Sequence, residues 1–340
     1  MIDVAIVGVG PAGANCAYML AQNGVRATMF DKSHPREKPC GGMIGIAAKE
    51  AFSIIGKLPI PHTEIDSMRV ISPRGMAWKI DLKNKLFGVS RLQFDQHLLN
   101  KALSKGASLI KENVVGLQKT GELWKIITNN QSYEARIIVG ADGVQSVVRR
   151  NIILPLNRKN LGACFGYTFK GVRENSVTIK FSAKNAGYLW VIPKGDHTSI
   201  GGGTTKIELF RNLKDEVNSF VKTCYPQLER NSIWASLIPN VKDARTLFSQ
   251  VSGSNWVLIG DAAGHVSPIS GSGIEYALTD GELAAQAITE GHVEQFSAAW
   301  IKNYGKNLAN EARLAKLIYR GPMLELYCMF AKLRTSLTFS

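Results

Sequence analysis

Hydrophobic residues fall into two rhythms along this chain. Short unbroken apolar runs, Val4–Val7, Ile137–Val139 and Trp256–Ile259, each lead into a glycine-rich turn. Runs of that kind predict parallel strands buried on both faces. A middle stretch alternates instead: Phe165, Tyr167 and Phe169, then Val177, Ile179 and Phe181, then Tyr188, Trp190 and Ile192. A period of two predicts antiparallel strands with one apolar face, able to floor an apolar tunnel or simply to form sheet core. Helical spacing returns in Phe296, Trp300, Tyr304, Leu308, Ala312 and Ala315, before Pro322 interrupts. Met323–Leu333 then mixes apolar residues with Glu325, Lys332 and Arg334. The tail is expected to pack on the body, a membrane-resting or substrate-capping helix being the alternative.

Each turn after a buried run carries candidate chemistry. Gly8-Val9-Gly10-Pro11-Ala12-Gly13 has its glycines where a tight turn, a close pyrophosphate and close helix–strand packing require them. Pro11 suits a first helical turn, where its missing N–H costs nothing. A helix to about Gln22 and a strand Val25–Phe30 follow, and Asp31, with Lys32 beside it, is placed to bind a ribose diol. This unit alone does not separate NAD from FAD. The second turn is Gly140-Ala141-Asp142-Gly143, followed by Ser146 and Arg149. The third is Gly260-Asp261-Ala262-Ala263-Gly264, then Gly271-Ser272-Gly273-Ile274 opening a helix to about Glu290. Asp261 is expected to accept from polyol hydroxyls, and the helix N-terminus to face the anionic edge of a reduced flavin.

Composition narrows the classes. With 340 residues, 45% hydrophobic and 20% charged, the chain is an ordinary globular protein. Five scattered cysteines without a CxxC pair disfavour disulfides and zinc and fit a reducing compartment. Six histidines lack metal-ligand spacing, so no metal site is expected. A net charge of +14 favours anionic partners. No nucleic-acid motif is evident, so nucleic acid is not expected as a partner and a lipid surface is the better candidate. No apolar run approaches the ~20 residues of a membrane span, and Asp3 interrupts Ile2–Val7, so no leader is read there. The expected location is cytoplasmic, with peripheral membrane contact as an option.

The three turns, in this order, resemble the glutathione-reductase-type FAD fold in its hydroxylase-like branch. Ser90-Arg91-Leu92-Gln93-Phe94-Asp95 resembles that branch's Arg-x-x-Phe-Asp segment, which implies Arg91 near the flavin. Lys38-Pro39-Cys40-Gly41-Gly42 resembles the Pro-Cys-Gly-Gly segment of the geranylgeranyl reductase family, and Tyr188-Leu189-Trp190-Val191-Ile192-Pro193 its Tyr-x-Trp-x-Phe-Pro motif, with Ile192 in place of Phe. The resemblance implies an α/β fold with a discontinuous Rossmann-like FAD domain over 1–60, 88–158 and 247–295. It also implies an inserted antiparallel-sheet substrate domain over 61–87 and 159–246, and C-terminal helices over 296–340. It implies FAD, contacts from Cys40, Gly41 and Gly42, and a substrate pocket with Tyr188, Trp190 and Pro193. The reaction implied is saturation of prenyl double bonds, with NADPH or a ferredoxin as external donor and Cys40 as a candidate proton donor. Two rival readings stand beside it. Gly187–Pro193 also approximates the halogenase Gly-Trp-x-Trp-x-Ile-Pro motif, with Tyr188 for the first Trp, and a non-catalytic flavin- or lipid-binding protein is the second. Oligomeric state is not legible.

Overall fold

A computed structural model describes residues 1–170, 174–320 and 322–337. Residues 171–173 of the expected sheet domain, 321 and 338–340 of the tail, and the side chains of residues 46, 47 and 333–337, Leu333 and Arg334 among them, lie outside the described residues.

The apolar runs become neighbours in one sheet, in the order Ser252–Gly253, Trp256–Leu258, Ser132–Gly140, Ile2–Val7, Ala27–Phe30, Ser108–Ile110. From Trp256–Leu258 to Ser108–Ile110 every pairing is parallel. All three glycine turns therefore leave the same, carboxyl edge, where open α/β sheets bind ligands. Gly8 stands at φ +96°, and a Cβ there would meet the Ala141 carbonyl oxygen at 2.4 Å. The first two turns are thus locked together by backbone contact. Helix Pro11–Gln22 packs on helix Ile274–Thr289 closely enough that a Cβ on Gly281 would lie 2.8 Å from the Ala12 carbonyl oxygen. Asn15 Nδ2 donates across this seam to Leu278 O at 2.8 Å.

The alternating stretch builds a second sheet, in the order Arg230–Pro239, Leu161–Phe169, Thr198–Thr204, Gly187–Pro193, Ser176–Ser182, His62–Ile71, Ala77–Val89, Met43–Gly45. Its pairings are antiparallel with one exception: His62–Ile71 runs parallel to Ser176–Ser182. Those strands come from two separate insertions, so no hairpin turn forces them to oppose. Met43–Gly45 joins this sheet from within the stretch 1–60 that was expected to belong wholly to the FAD domain.

The period of two decides which aromatics reach the cavity. Phe165, Tyr167 and Phe169 face helix Phe210–Cys224 with Leu189 and Val191, and form sheet core. Tyr188, Trp190 and Ile192 occupy the opposite face. The tail packs on the body, with Phe296, Trp300, Tyr304, Leu308, Ala312 and Ala315 all buried. Its spacing is carried by helix Phe296–Trp300, a π-helical turn Ile301–Gly305, and helix Lys306–Ile318.

Candidate active site

Between the two sheets lies a cavity of about 430 Å³. One wall comes from the first sheet's turns: Gly10, Pro11, Ala12, Gly143, Asp261 and Gly271-Ser272-Gly273-Ile274. The opposite wall is the second sheet's apolar face, with Tyr188, Trp190 and Ile192 joined by Ile179, Phe181 and Met68. The loop Lys38–Gly42 and Arg91 close one end, and Tyr319 and Tyr327 of the tail lie elsewhere in the wall.

The loop's glycines are steric requirements. Gly42 has φ +71°, and a Cβ there would stand 2.3 Å from Val89 O and 2.9 Å from Lys194 Cε. A Cβ on Gly41 would meet Ile192 Cδ1 at 2.9 Å. The loop thus lies flat on the second sheet and presents Cys40, whose sulfur accepts the Gly42 N–H at 3.3 Å.

Behind the loop is a buried network that sequence spacing barely announces. Arg91 Nε and Nη2 donate to the two carboxylate oxygens of Asp95, each at 2.8 Å, one helical turn on. His34 Nε2 lies 2.7 Å from Asp95 Oδ2. Burial alone would raise the Asp95 pKa, but the Arg91 charge and the His34 hydrogen bond hold it far below the usual carboxylate range. Burial likewise opposes the Arg91 charge, yet Asp95 and the Cys40 sulfur, which Arg91 also faces, raise its pKa. Lys194 is only 1% exposed and pairs with Glu37 at 3.1 Å, while Glu37 also accepts from Ser90 Oγ and the Leu92 N–H. Lys38 points toward Gly10, 3.3 Å from where a Cβ would stand, and burial lowers its pKa. Burial raises the pKa of Asp261, with the Lys38 and Arg91 charges pulling the other way.

Several expected residues stand off the cavity. The Asp142 carboxylate turns inward to accept from Ser146 Oγ and the Val147 and Val148 N–H groups, so it caps helix Val147–Ile152. Asp31 accepts from the Val9, Ser33 and His34 N–H groups, outside the cavity wall, and Lys32 is exposed. Gly8, Gly13 and Gly260 support the turns without lining the cavity. Pro193 is buried in its strand, its carbonyl facing Gly88. Cys16 is wholly buried in its helix.

Two features escaped sequence reasoning. Under the Gly260 turn, Asp280 Oδ2 accepts the Gly260 N–H and faces His265 Nδ1, both at 2.7 Å, and Oδ1 accepts from Tyr304. All three side chains are buried, and Tyr304 reaches them from the π-helical turn. No spacing rule links 265, 280 and 304. The second is a row across four strands, Trp190–Gly201–Gly166–Trp234. With no Cβ on the two glycines, the indoles lie over them, centroids 5.8 Å apart and planes within 14°. The Gly201-Gly202-Gly203 run was the available signal.

No family model matches the chain. A digeranylgeranylglycerophospholipid reductase of Methanosphaera stadtmanae is 30% identical, over 84% of this chain and 76% of that one. A geranylgeranyl diphosphate reductase of Rhodobacter capsulatus is also 30% identical, over 84% and 74% respectively. The chain belongs to the geranylgeranyl reductase family. It is an FAD-dependent oxidoreductase of that type. The fold agrees: the crystal structure of a geranylgeranyl bacteriochlorophyll reductase-like protein from Thermoplasma acidophilum superposes with a TM-score of 0.82 at 21% identity, over 93% of this chain and 87% of that one.

The residues of the reductase fit a flavin dinucleotide. Helices Pro11–Gln22 and Ile274–Thr289 both begin at a glycine, Gly10 and Gly273, without a capping side chain, so their first N–H groups are free for a ligand. Both ends line the cavity, with Asp261 between the two sheets.

Proposed function

We propose that this reductase saturates carbon–carbon double bonds of a geranylgeranyl-type polyprenyl chain carried on a lipid, a quinone or a diphosphate. The observation that carries the reading is the single cavity that joins the Cys40 loop and the two free helix ends to an aromatic and aliphatic wall. Bound flavin would supply a hydride to one alkene carbon. The second hydrogen must arrive as a proton, which Cys40 Sγ, or a water held by it, would deliver from the loop. Arg91 positions that sulfur and is itself held by Asp95. An unactivated alkene develops no oxyanion, so positioning and water exclusion are the chain's main contributions. Trp190, Tyr188, Phe181 and Ile192 supply them.

An external donor, NADPH or a ferredoxin, would restore the reduced state. Peripheral contact with an anionic membrane is supported by the tail, where Leu326, Met329 and Phe330 are exposed on one face of helix Met323–Leu337, after exposed Arg313, Lys316 and Arg320. Among the described residues no helix is long and apolar enough to cross a membrane.

Mass spectrometry of prenyl lipids, quinones and prenyl diphosphates incubated with FAD-loaded protein and dithionite tests the reading. The expected product gains two hydrogens per double bond, and unchanged prenyl compounds throughout would overturn it. In the same assay Cys40→Ser should lower kcat by about 10²-fold, the lower range for general acid catalysis. Full turnover would remove the thiol from the scheme.

A further inference from the structure

The cavity has one stretch of wall unlike the rest. Thr205 is 7% exposed and Asn240 2% exposed, and both line it. Thr205 Oγ1 and Asn240 Oδ1 have no hydrogen-bond partner among the described residues, although Asn240 Nδ2 donates to Pro268 O at 3.3 Å. Buried polar atoms are almost always paired, and leaving one unpaired costs about 1–3 kcal/mol. Two such atoms on one cavity wall point to a polar ligand.

Charge stands beside them. Lys242, two residues beyond Asn240, extends its ammonium to the Thr205 carbonyl oxygen at 3.3 Å. Lys206 and Lys316, both exposed, are close enough that their charges act on half-buried Lys242. The three lysines come from distant parts of the chain, and none makes an ion pair among the described residues. Nearby acids are otherwise engaged: Asp243 caps helix Ala244–Leu247, and Glu208 lies 3.8 Å from Arg158. The local excess of positive charge favours an anion beside Lys242.

We propose that Thr205, Asn240 and Lys242, backed by Lys206 and Lys316, form a subsite for the phosphoryl oxygens of the substrate's head group. The inference rests on the polyprenyl-reductase reading and names, within it, the residues that would select a phosphorylated head group. Lys242 supplies charge, the Thr205 hydroxyl donates, and Asn240 Oδ1 accepts from a neighbouring hydroxyl or water. The prenyl tail then runs along the aromatic wall toward Cys40, so the head group sets the register of double bonds at the flavin.

The test compares FAD-loaded wild-type protein with Lys242→Met, which keeps the aliphatic stem and removes the charge. Three substrates share one tail chemistry: geranylgeranyl diphosphate, digeranylgeranylglyceryl phosphate and uncharged geranylgeraniol. Loss of one charge-assisted contact should raise KM about tenfold for a phosphorylated substrate and leave that of the alcohol within about twofold. A rise for the diphosphate alone assigns the free ester as source, and for the glyceryl phosphate alone a lipid head group. Equal effects on alcohol and phosphates, or none on any, overturn the subsite. Calorimetry with inorganic diphosphate separates this from failure of the parent reading. Binding to wild type that weakens about tenfold in Lys242→Met supports the subsite even if no prenyl compound is reduced. Equal binding, or none, overturns it.

Discussion

Two groups of charges, one behind the Cys40 loop and one beside Thr205, stand near the cavity and are built on different principles. At the Cys40 end two cations have a partner anion, Arg91 with Asp95 and Lys194 with Glu37, while Lys38 makes no ion pair among the described residues. Beside Thr205, half-buried Lys242 feels the charges of exposed Lys206 and Lys316, and none of the three makes an ion pair among the described residues. A paired charge in a protein interior serves position, since removing one partner strands the other. The group beside Thr205 is the one proposed to meet a ligand of the opposite sign. The first group is therefore expected to fail when cut, and the second to fail only when substrate is present.

The sharpest way to break the comparison is Asp95→Asn. It leaves the Arg91 guanidinium buried beside a neutral amide, and about 3–5 kcal/mol of stability should be lost, read by denaturant unfolding of the flavin-free protein. The pH dependence has a definite sign. The folded pKa of Asp95 lies below its ordinary 3.8, so its contribution is complete above that value and disappears as pH falls through the folded one. The variant should therefore lose less stability on acidification than wild type does.

Next in size is Gly201→Ala. Its Cβ would stand 2.8 Å from Trp234 Cη2 and 3.0 Å from Trp190 Cζ2. Overpacking should cost about 1–3 kcal/mol and shift the tryptophan emission. An unchanged spectrum would show that the indoles do not depend on the glycines.

The smallest effect probes the lysines through pH. Burial, with the Lys206 and Lys316 charges, lowers the pKa of Lys242 to about 8. A group with a lowered folded pKa is less protonated folded than unfolded, so stability gains as pH rises from about 8 toward its ordinary 10.5. Attraction for an anion moves the other way. KM for geranylgeranyl diphosphate should climb above pH 8 in wild type and stay flat in Lys242→Met, with geranylgeraniol as the uncharged control.

What could be read beforehand was whatever depends on spacing along the chain. Glycines 8, 10 and 13 follow a buried run, and the parallel sheet with its packed helix followed from them. The alternation at 188, 190 and 192 placed one face together, and the same alternation sent Phe165, Tyr167 and Phe169 to the other side. What could not be read depends on contacts between distant segments. Asp142 was expected as a ligand group because an acid at a strand end often is one, and its contacts to the N–H groups of the next helix were not legible in that spacing. Lys32 and Asp31 were placed by distance from the glycines, and the N–H groups of Val9, Ser33 and His34 that Asp31 also accepts from were not foreseen. The pairings 37–194 and 265–280, and the meeting of 206, 242 and 316, have no local pattern at all.

The row of two glycines between two tryptophans bears on how relatives of this reductase can diverge. Backbone alone fixes the level of that floor, and every substitution at Gly166 or Gly201 collides with main chain or ring. Changes in the length or branching of an accepted tail must therefore come from walls built of pliable side chains, Met68, Phe181 and Tyr327, where selection can trade volume without disturbing the sheet.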